Sequence, residues 1–252
     1  MKKKLIVPYD FTEVADNAIH HALVTAKVVN AGNIKYDGNA PDYKKTEYNV
    51  LSQAFEDRKV LVVASTHKTE DEKAIEIYTR LKKQHNDLLM VLVPRHPHRG
   101  DDIASLLASS NLNYTQRSKT KGLENSSLMD VYLADTLGEI GLWYALANVV
   151  VMGGSLIPHG GHNPLEPLKA GKPTYSGKYM HNFKDMTDLL TSEGVLFVCE
   201  DQEDLINSLN NALLDESFFK EFSEKATNAL DKMTGATEFI IKEVKENLKL
   251  RG

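Results

Sequence analysis

The chain holds 252 residues, 42% hydrophobic and 26% charged, the make-up of a soluble globular protein with room for one large or two small domains. Its net charge of -5 argues against a general nucleic-acid binder, and its one cysteine, Cys199, excludes an intrachain disulfide and a thiolate metal cluster. Pro8, Asp10 and Glu13 interrupt the apolar run behind Met1-Lys2-Lys3-Lys4 too early for a signal peptide, and no run approaches the roughly 20 apolar residues of a bilayer span, so a cytoplasmic location is expected, with peripheral membrane contact as the alternative.

Leu5 to Tyr9 reads as a short strand, and Asp10-Phe11-Thr12-Glu13 turns into a helix whose Ala15, Ala18, Ile19, Ala22, Leu23 and Ala26 recur at helical spacing. Residues 1–29 thus form a β-α unit. Residues 2–28 resemble the opening of universal stress proteins, a resemblance that implies adenine beside Asp10; the plainer reading is a strand and a capped helix. Residues 30–58 lose periodicity through Asn30, Gly32, Asn33, Asp37, Gly38, Asn39, Pro41 and Asp42 and read as a linker, with one short helix from Tyr48 to Phe55.

From Lys59 strands and helices alternate. Strands are expected at 59–64, 88–93, 114–117, 130–134, 148–152, 174–175 and 194–198, and helices at 70–85, 101–109 and 141–147. Three helices follow, at 202–214, 216–232 and 236–248. The last carries an apolar stripe of Phe239, Ile240, Val244 and Leu248 that packs on a domain edge or, as the alternative, lies on a membrane surface. The alternation predicts an α/β fold: one Rossmann-like, doubly wound parallel sheet over residues 59–252.

A parallel sheet brings the carboxyl ends of its strands to one rim, where open α/β sheets bind ligands. Five chemistry-bearing segments fall there: Ser65-Thr66-His67, Arg95-His96, Arg117-Ser118, Asp135-Thr136 with Gly138-Glu139, and the loop Gly153-Gly154-Ser155 through Gly160-Gly161-His162-Asn163-Pro164-Leu165-Glu166-Pro167. Arg95 and Arg117 beside helix N-termini describe an anion site suited to phosphate, and Glu139 or Glu166 suits sugar hydroxyls. Asn163 and Pro164 fit a helix start, so Glu166 is either a first-turn capping acid or a ligand acceptor.

Plainer roles stand beside these. Arg95 between prolines can serve a solvated turn, Asp135 can cap a helix, and His98 and Arg99 read as surface. His67, His96, His159 and His162 match no compact zinc-ligand spacing, and no metal is expected. Ser155, His162 and Asp135 could compose a hydrolase triad on paper, but Gly153-Gly154-Ser155-Leu156-Ile157 is not a nucleophile elbow. No Gly-x-Gly-x-x-Gly fingerprint or Gly-Lys-Ser/Thr loop occurs.

On these motifs, in this order, residues 59–248 resemble the C-terminal, nucleotide-sugar-binding half of bacterial Kdo transferases, which move 3-deoxy-D-manno-oct-2-ulosonic acid (Kdo) from CMP-Kdo to lipid A precursors. The likeness rests on Ala64-Ser65-Thr66-His67, Pro94-Arg95-His96-Pro97 with Arg99, Arg117-Ser118, Asp135-Thr136 with Gly138-Glu139, and the loop from Gly153 to Pro167. Asn33-Ile34-Lys35-Tyr36-Asp37 resembles the segment joining that family's two halves. Lys68-Thr69-Glu70-Asp71 departs from the family, which tends to have a glycine before paired acids.

The resemblance implies a GT-B glycosyltransferase domain with CMP-Kdo as donor and no metal. It places Arg95 on the CMP phosphate, Ser155 and nearby amides on phosphate or donor carboxylate, and Asn163 with Glu166 on the ribose. The general base and lipid-acceptor surface belong to that family's other half, which residues 1–58 do not resemble. No catalytic residue is therefore assigned. A partner chain carrying that half, peripheral contact at the inner membrane, and little transfer by this chain alone are the corresponding expectations. The alternatives are a non-catalytic CMP-sugar or nucleotide binder, as a remnant or fusion, and an adenine-nucleotide-binding stress protein.

Overall fold

The computed structural model describes residues 4–5, 27–28, 31–120 and 128–249. The chain divides into two compact units, residues 40–227 and residues 1–39 with 228–252.

The larger unit is built on seven parallel strands. They are β3 (Lys59–Thr66), β4 (Leu88–Pro94), β5 (Tyr114–Gln116), β6 (Val131–Leu133), β7 (Val149–Met152), β8 (Thr174–Gly177) and β9 (Leu196–Cys199), in the order β5-β6-β4-β3-β7-β8-β9. β3 and β4 are almost wholly buried because helices cover both faces, which is why their sequences run apolar without alternation. Successive residues still face opposite layers. Leu61 and Val63 pack with α2 (Glu70–Lys82), α3 (Gly100–Ser109) and α7 (Gln202–Leu214). Val62 and Ala64 pack with α1 (Lys45–Ala54) and α4 (Ile140–Leu146), around Leu51, Phe55, Leu142 and Trp143. The segment read as a linker thus holds α1 within this unit, three residues ahead of the expected start at Tyr48.

The chain leaves β3 toward β4, β5 and β6 on one side and returns on the other through β7, β8 and β9. The switch point therefore lies between β3 and β7. There the register of β3 slips at Ser65, which takes a left-handed φ of 61°. Gly153 closes against it: its N–H donates to Ala64 O at 2.7 Å, and any Cβ at that position would run into the Ser65 carbonyl. α5 (Leu165–Lys169) follows the β7 loop and α6 (Lys184–Ser192) precedes β9. The strand expected at 194–198 begins two residues later, because Gly194 turns with φ of 67° after α6.

In the smaller unit, β1 (Lys4–Leu5) pairs in parallel with β2 (Lys27–Val28). The helix expected between them, and Asp10, lie outside the described residues. A 3₁₀ turn over Ile34–Asp37 meets α9 (Ala236–Lys249), where Asp37 accepts the N–H groups of Gly235 at 2.7 Å and Thr237 at 2.5 Å. α8 (Glu216–Asp231) is shared by both units. No helix among the described residues is long and apolar enough to cross a membrane.

Candidate functional site

The rim above β3 and β7 is organised by two buried acids at the start of α2. Glu70 accepts the N–H groups of Gly154 at 2.6 Å, Leu156 at 2.9 Å and its own loop's His67 at 3.0 Å. Its neighbour Asp71 accepts the Thr66 hydroxyl at 2.7 Å and pairs with Arg99. Thr66 is fully buried by that bond. The amides of Gly154 and Leu156 on either side of Ser155, where the resemblance implied phosphate or donor carboxylate, are thus held by a carboxylate of the protein. Ser155 is enclosed as well: its hydroxyl donates to Met152 O and accepts from Gly177 N. Neither acid was singled out from the sequence as a loop-holder.

Further along the rim, Arg117 donates to Glu139 at 2.7 and 3.2 Å and to Glu47 at 2.9 Å, and its guanidinium lies over the Trp143 ring. Two carboxylates balance that charge. Burial alone would raise the Glu139 carboxyl, but hydrogen bonds from Arg117 and Thr136 outweigh it and hold it below its ordinary value. Ser118 gives both its N–H and its hydroxyl to Asp135, which also accepts from Gln116. These groups lock the ends of β5 and β6 to one another.

What remains open is a cleft of about 330 Å³ over the ends of β3, β4, β6 and β7. Of the residues chosen from sequence, Ser65, Arg95, Gly138, His162, Asn163 and Glu166 line it. The Arg95 side chain is exposed and makes no hydrogen bond or ion pair with a described residue. Glu166 is half-buried; burial pushes its carboxyl up, and nearby Arg95 only partly offsets this. The Asn163 side-chain oxygen accepts the N–H of Leu165 at 3.1 Å, but the cap position of α5 falls to Pro164 and not to Asn163, because the helix starts one residue later than expected. Val93, Met152, Tyr144 and Phe183 supply apolar and aromatic wall. Tyr144 carried only the signal of an apolar helix, and nothing in the sequence marked Phe183.

At the other lip of the switch point three histidines meet. His67 Nε2 lies 2.8 Å from His162 Nε2, and the centroid of the His67 ring lies 3.7 Å from that of His159, the two planes tilted by 32°. Burial, followed by the neighbouring imidazoles, pushes His67 down to about 4; burial, followed by Arg95, takes His162 to about 4. His96 turns its ring edge-on to that of His67, 6.0 Å between centroids.

No protein-family model matches the chain. The C-terminal CMP-Kdo binding domain of WaaA from Acinetobacter baumannii superposes with a TM-score of 0.66 at 31% identity, over 73% of this chain and 96% of that one. The chain belongs to the Kdo transferase family. Its sheet is the C-terminal half of a GT-B glycosyltransferase, as the resemblance implied. Among full-length members, the 3-deoxy-D-manno-octulosonic acid transferase of Haemophilus influenzae is 38% identical over 200 residues, 79% of this chain and 45% of that protein. The Rickettsia typhi enzyme of the same name is 30% identical over 91% of this chain and 46% of its own length. The chain therefore spans just under half the length of these relatives.

Proposed function

We propose that the cleft over β3, β4, β6 and β7 binds the CMP moiety of CMP-Kdo, and that the chain is the donor-binding part of an enzyme moving Kdo to a lipid A precursor. The observation that carries this is the placement of Arg95, which has no hydrogen-bond or ion-pair partner among the described residues, in one cleft with Glu166 at the switch point. A guanidinium there suits a phosphodiester, a carboxylate accepts ribose hydroxyls, and the half-buried Phe183 offers apolar surface to a base. Gly138, in a left-handed turn with φ of 78°, leaves the β6 side of the cleft open to a ligand.

In the transfer, an acceptor hydroxyl attacks the anomeric carbon of Kdo. The new C–O bond forms as the bond to the phosphate oxygen breaks, CMP leaves with the electron pair, and the hydroxyl proton passes to a base. In the larger unit Asp135 and Glu139 are engaged by Ser118 and Arg117, and Glu166 faces the nucleotide cleft. We therefore assign the base and the lipid-acceptor surface to a further polypeptide, a partner chain or a longer form of this one, working from the cytoplasm at the inner-membrane face.

Titration calorimetry with CMP and CMP-Kdo tests the reading. Arg95→Ala loses a charge-assisted phosphate contact, for which about 1.5 to 3 kcal/mol is expected. Equal affinity of wild type and variant removes Arg95 from the site, and tighter binding of ATP than of CMP would favour the stress-protein alternative instead.

A further inference from the structure

Histidines separated in sequence have been brought together at the switch point. His67 follows β3; His159 and His162 sit in the loop after the neighbouring strand β7. Each offers one ring nitrogen, and all three nitrogens lie within 4.8 Å of one another. We propose that His67, His159 and His162 form a binding site for a divalent transition metal of the zinc class, a borderline-soft ion suited to imidazole.

The geometry is near what such an ion requires. Zinc–nitrogen bonds of about 2.0 to 2.1 Å in a tetrahedral shell set ligand nitrogens roughly 3.4 Å apart. The His67 to His162 separation of 2.8 Å must open slightly and the longer separations close slightly, within reach of side-chain rotation. The rings need not be gathered from mobile loops. Glu70 ties the His67 loop to the β7 loop through three N–H groups, and Gly161 N donates to Gly154 O at 2.8 Å beneath the histidines. His159 is exposed, which leaves an entry path, and three protein ligands leave a fourth position for water or an anion. A shared proton can satisfy the His67–His162 pair alone; a metal is what engages the third ring together with both. His96 is not among the histidines whose ring nitrogens converge.

The spacing rule that argued against zinc fails here for a topological reason. Compact zinc patterns place ligands on one hairpin or helix, whereas this cluster is assembled by two parallel strands that are neighbours because the order in which strands are added reverses at β3.

The test uses the whole chain, stripped with a chelator and dialysed. Zinc is titrated by calorimetry, and cobalt(II) by visible absorption, which reports a four-coordinate shell. One ion per chain is expected, with intense cobalt bands. His159→Ala, at an exposed position, and His162→Ala should each weaken zinc at least about tenfold, while His98→Ala leaves affinity unchanged. Circular dichroism of the metal-free variants confirms that they are folded. Absence of stoichiometric zinc binding, or zinc affinity unmoved in both His159→Ala and His162→Ala, overturns the proposal, as does loss of binding on His98→Ala. The CMP titration is run in chelator, so the two readings stand or fall separately.

Discussion

The carboxylate of Glu70 accepts the N–H of Gly154 at 2.6 Å, joining the first turn of α2 to the loop after β7, 84 residues further along the chain. With Leu156 and His67 it gives three N–H groups one fully buried acceptor. That carboxylate fills a place where a Rossmann-type site ordinarily presents free amides to a ligand. The loop is consequently shaped before any ligand arrives, and Arg95 is the exposed cation of the cleft, with no hydrogen-bond or ion-pair partner among the described residues.

Glu70→Ala leaves those N–H groups without their acceptor, and each unsatisfied buried donor costs about 1 to 3 kcal/mol. The expected outcome is a loss of more than about 2 kcal/mol in urea unfolding. Glu70→Gln, which keeps the shape but turns an amide NH₂ toward backbone donors, should fall between Ala and wild type. A Glu70→Ala chain as stable as wild type would show that water replaces the carboxylate without loss.

The Arg117–Glu139 pair predicts a pH-dependent coupling. The Glu139 carboxyl sits below its ordinary value of 4.5, so its contribution to stability is present above about that pH and disappears as the pH falls through the depressed folded value. A double-mutant cycle with Arg117→Ala and Glu139→Ala at pH 7 should give a coupling of about 1 to 3 kcal/mol. The same cycle well below pH 4.5 should give a smaller one. A coupling that does not change with pH would mean the pair holds by packing against Trp143 and not by charge.

Much of this architecture was legible in the sequence. β3, β4 and β7 announced themselves as unbroken apolar runs because helices cover both faces, and the order of the rim motifs followed from the alternation of strands and helices. What could not be read was how the rim residues use one another. Arg117 and Glu139 each looked like a ligand group at a strand end; that they meet depends on the pairing of β5 with β6. Glu70 looked like an ordinary first-turn acid, since its partners arrive from across the switch point. The same blindness to topology hid the gathering of His67 with His159 and His162, and Phe183 stands in the cleft by virtue of a 3₁₀ turn with no signature.

Cys199 gives a chemical check on the packing at the end of β9. Burial, then the nearby acids, raises its thiol to about 11, and 2% of the residue is exposed. At pH 8 the folded chain should react with a disulfide reagent far more slowly than the same chain in urea, where an ordinary thiol is several tenths of a unit from half-ionised. Rapid reaction of the native chain at the unfolded rate would place β9 in a looser environment than the sheet describes.

Glu166 provides the sharpest test of the donor cleft. It lines the cleft half-buried, its carboxyl raised above the ordinary 4.5 by burial more than Arg95 and Lys169 lower it. If it accepts ribose hydroxyls, it does so as the carboxylate, so its contribution to CMP affinity is complete at pH 7 and is lost as the pH falls through that raised value, in a window above 4.5. The CMP phosphate titrates in the same region, but it does so equally with any variant. The informative quantity is therefore the ratio of wild-type to Glu166→Gln affinity, measured in chelator. Loss of a hydrogen bond to a charged group predicts a ratio near tenfold at pH 7, corresponding to about 1.5 kcal/mol. The ratio should shrink toward unity as the pH falls through that raised value. A ratio of unity already at pH 7 would confine Glu166 to the first turn of α5 as a structural acid and leave Arg95 to hold the nucleotide without it.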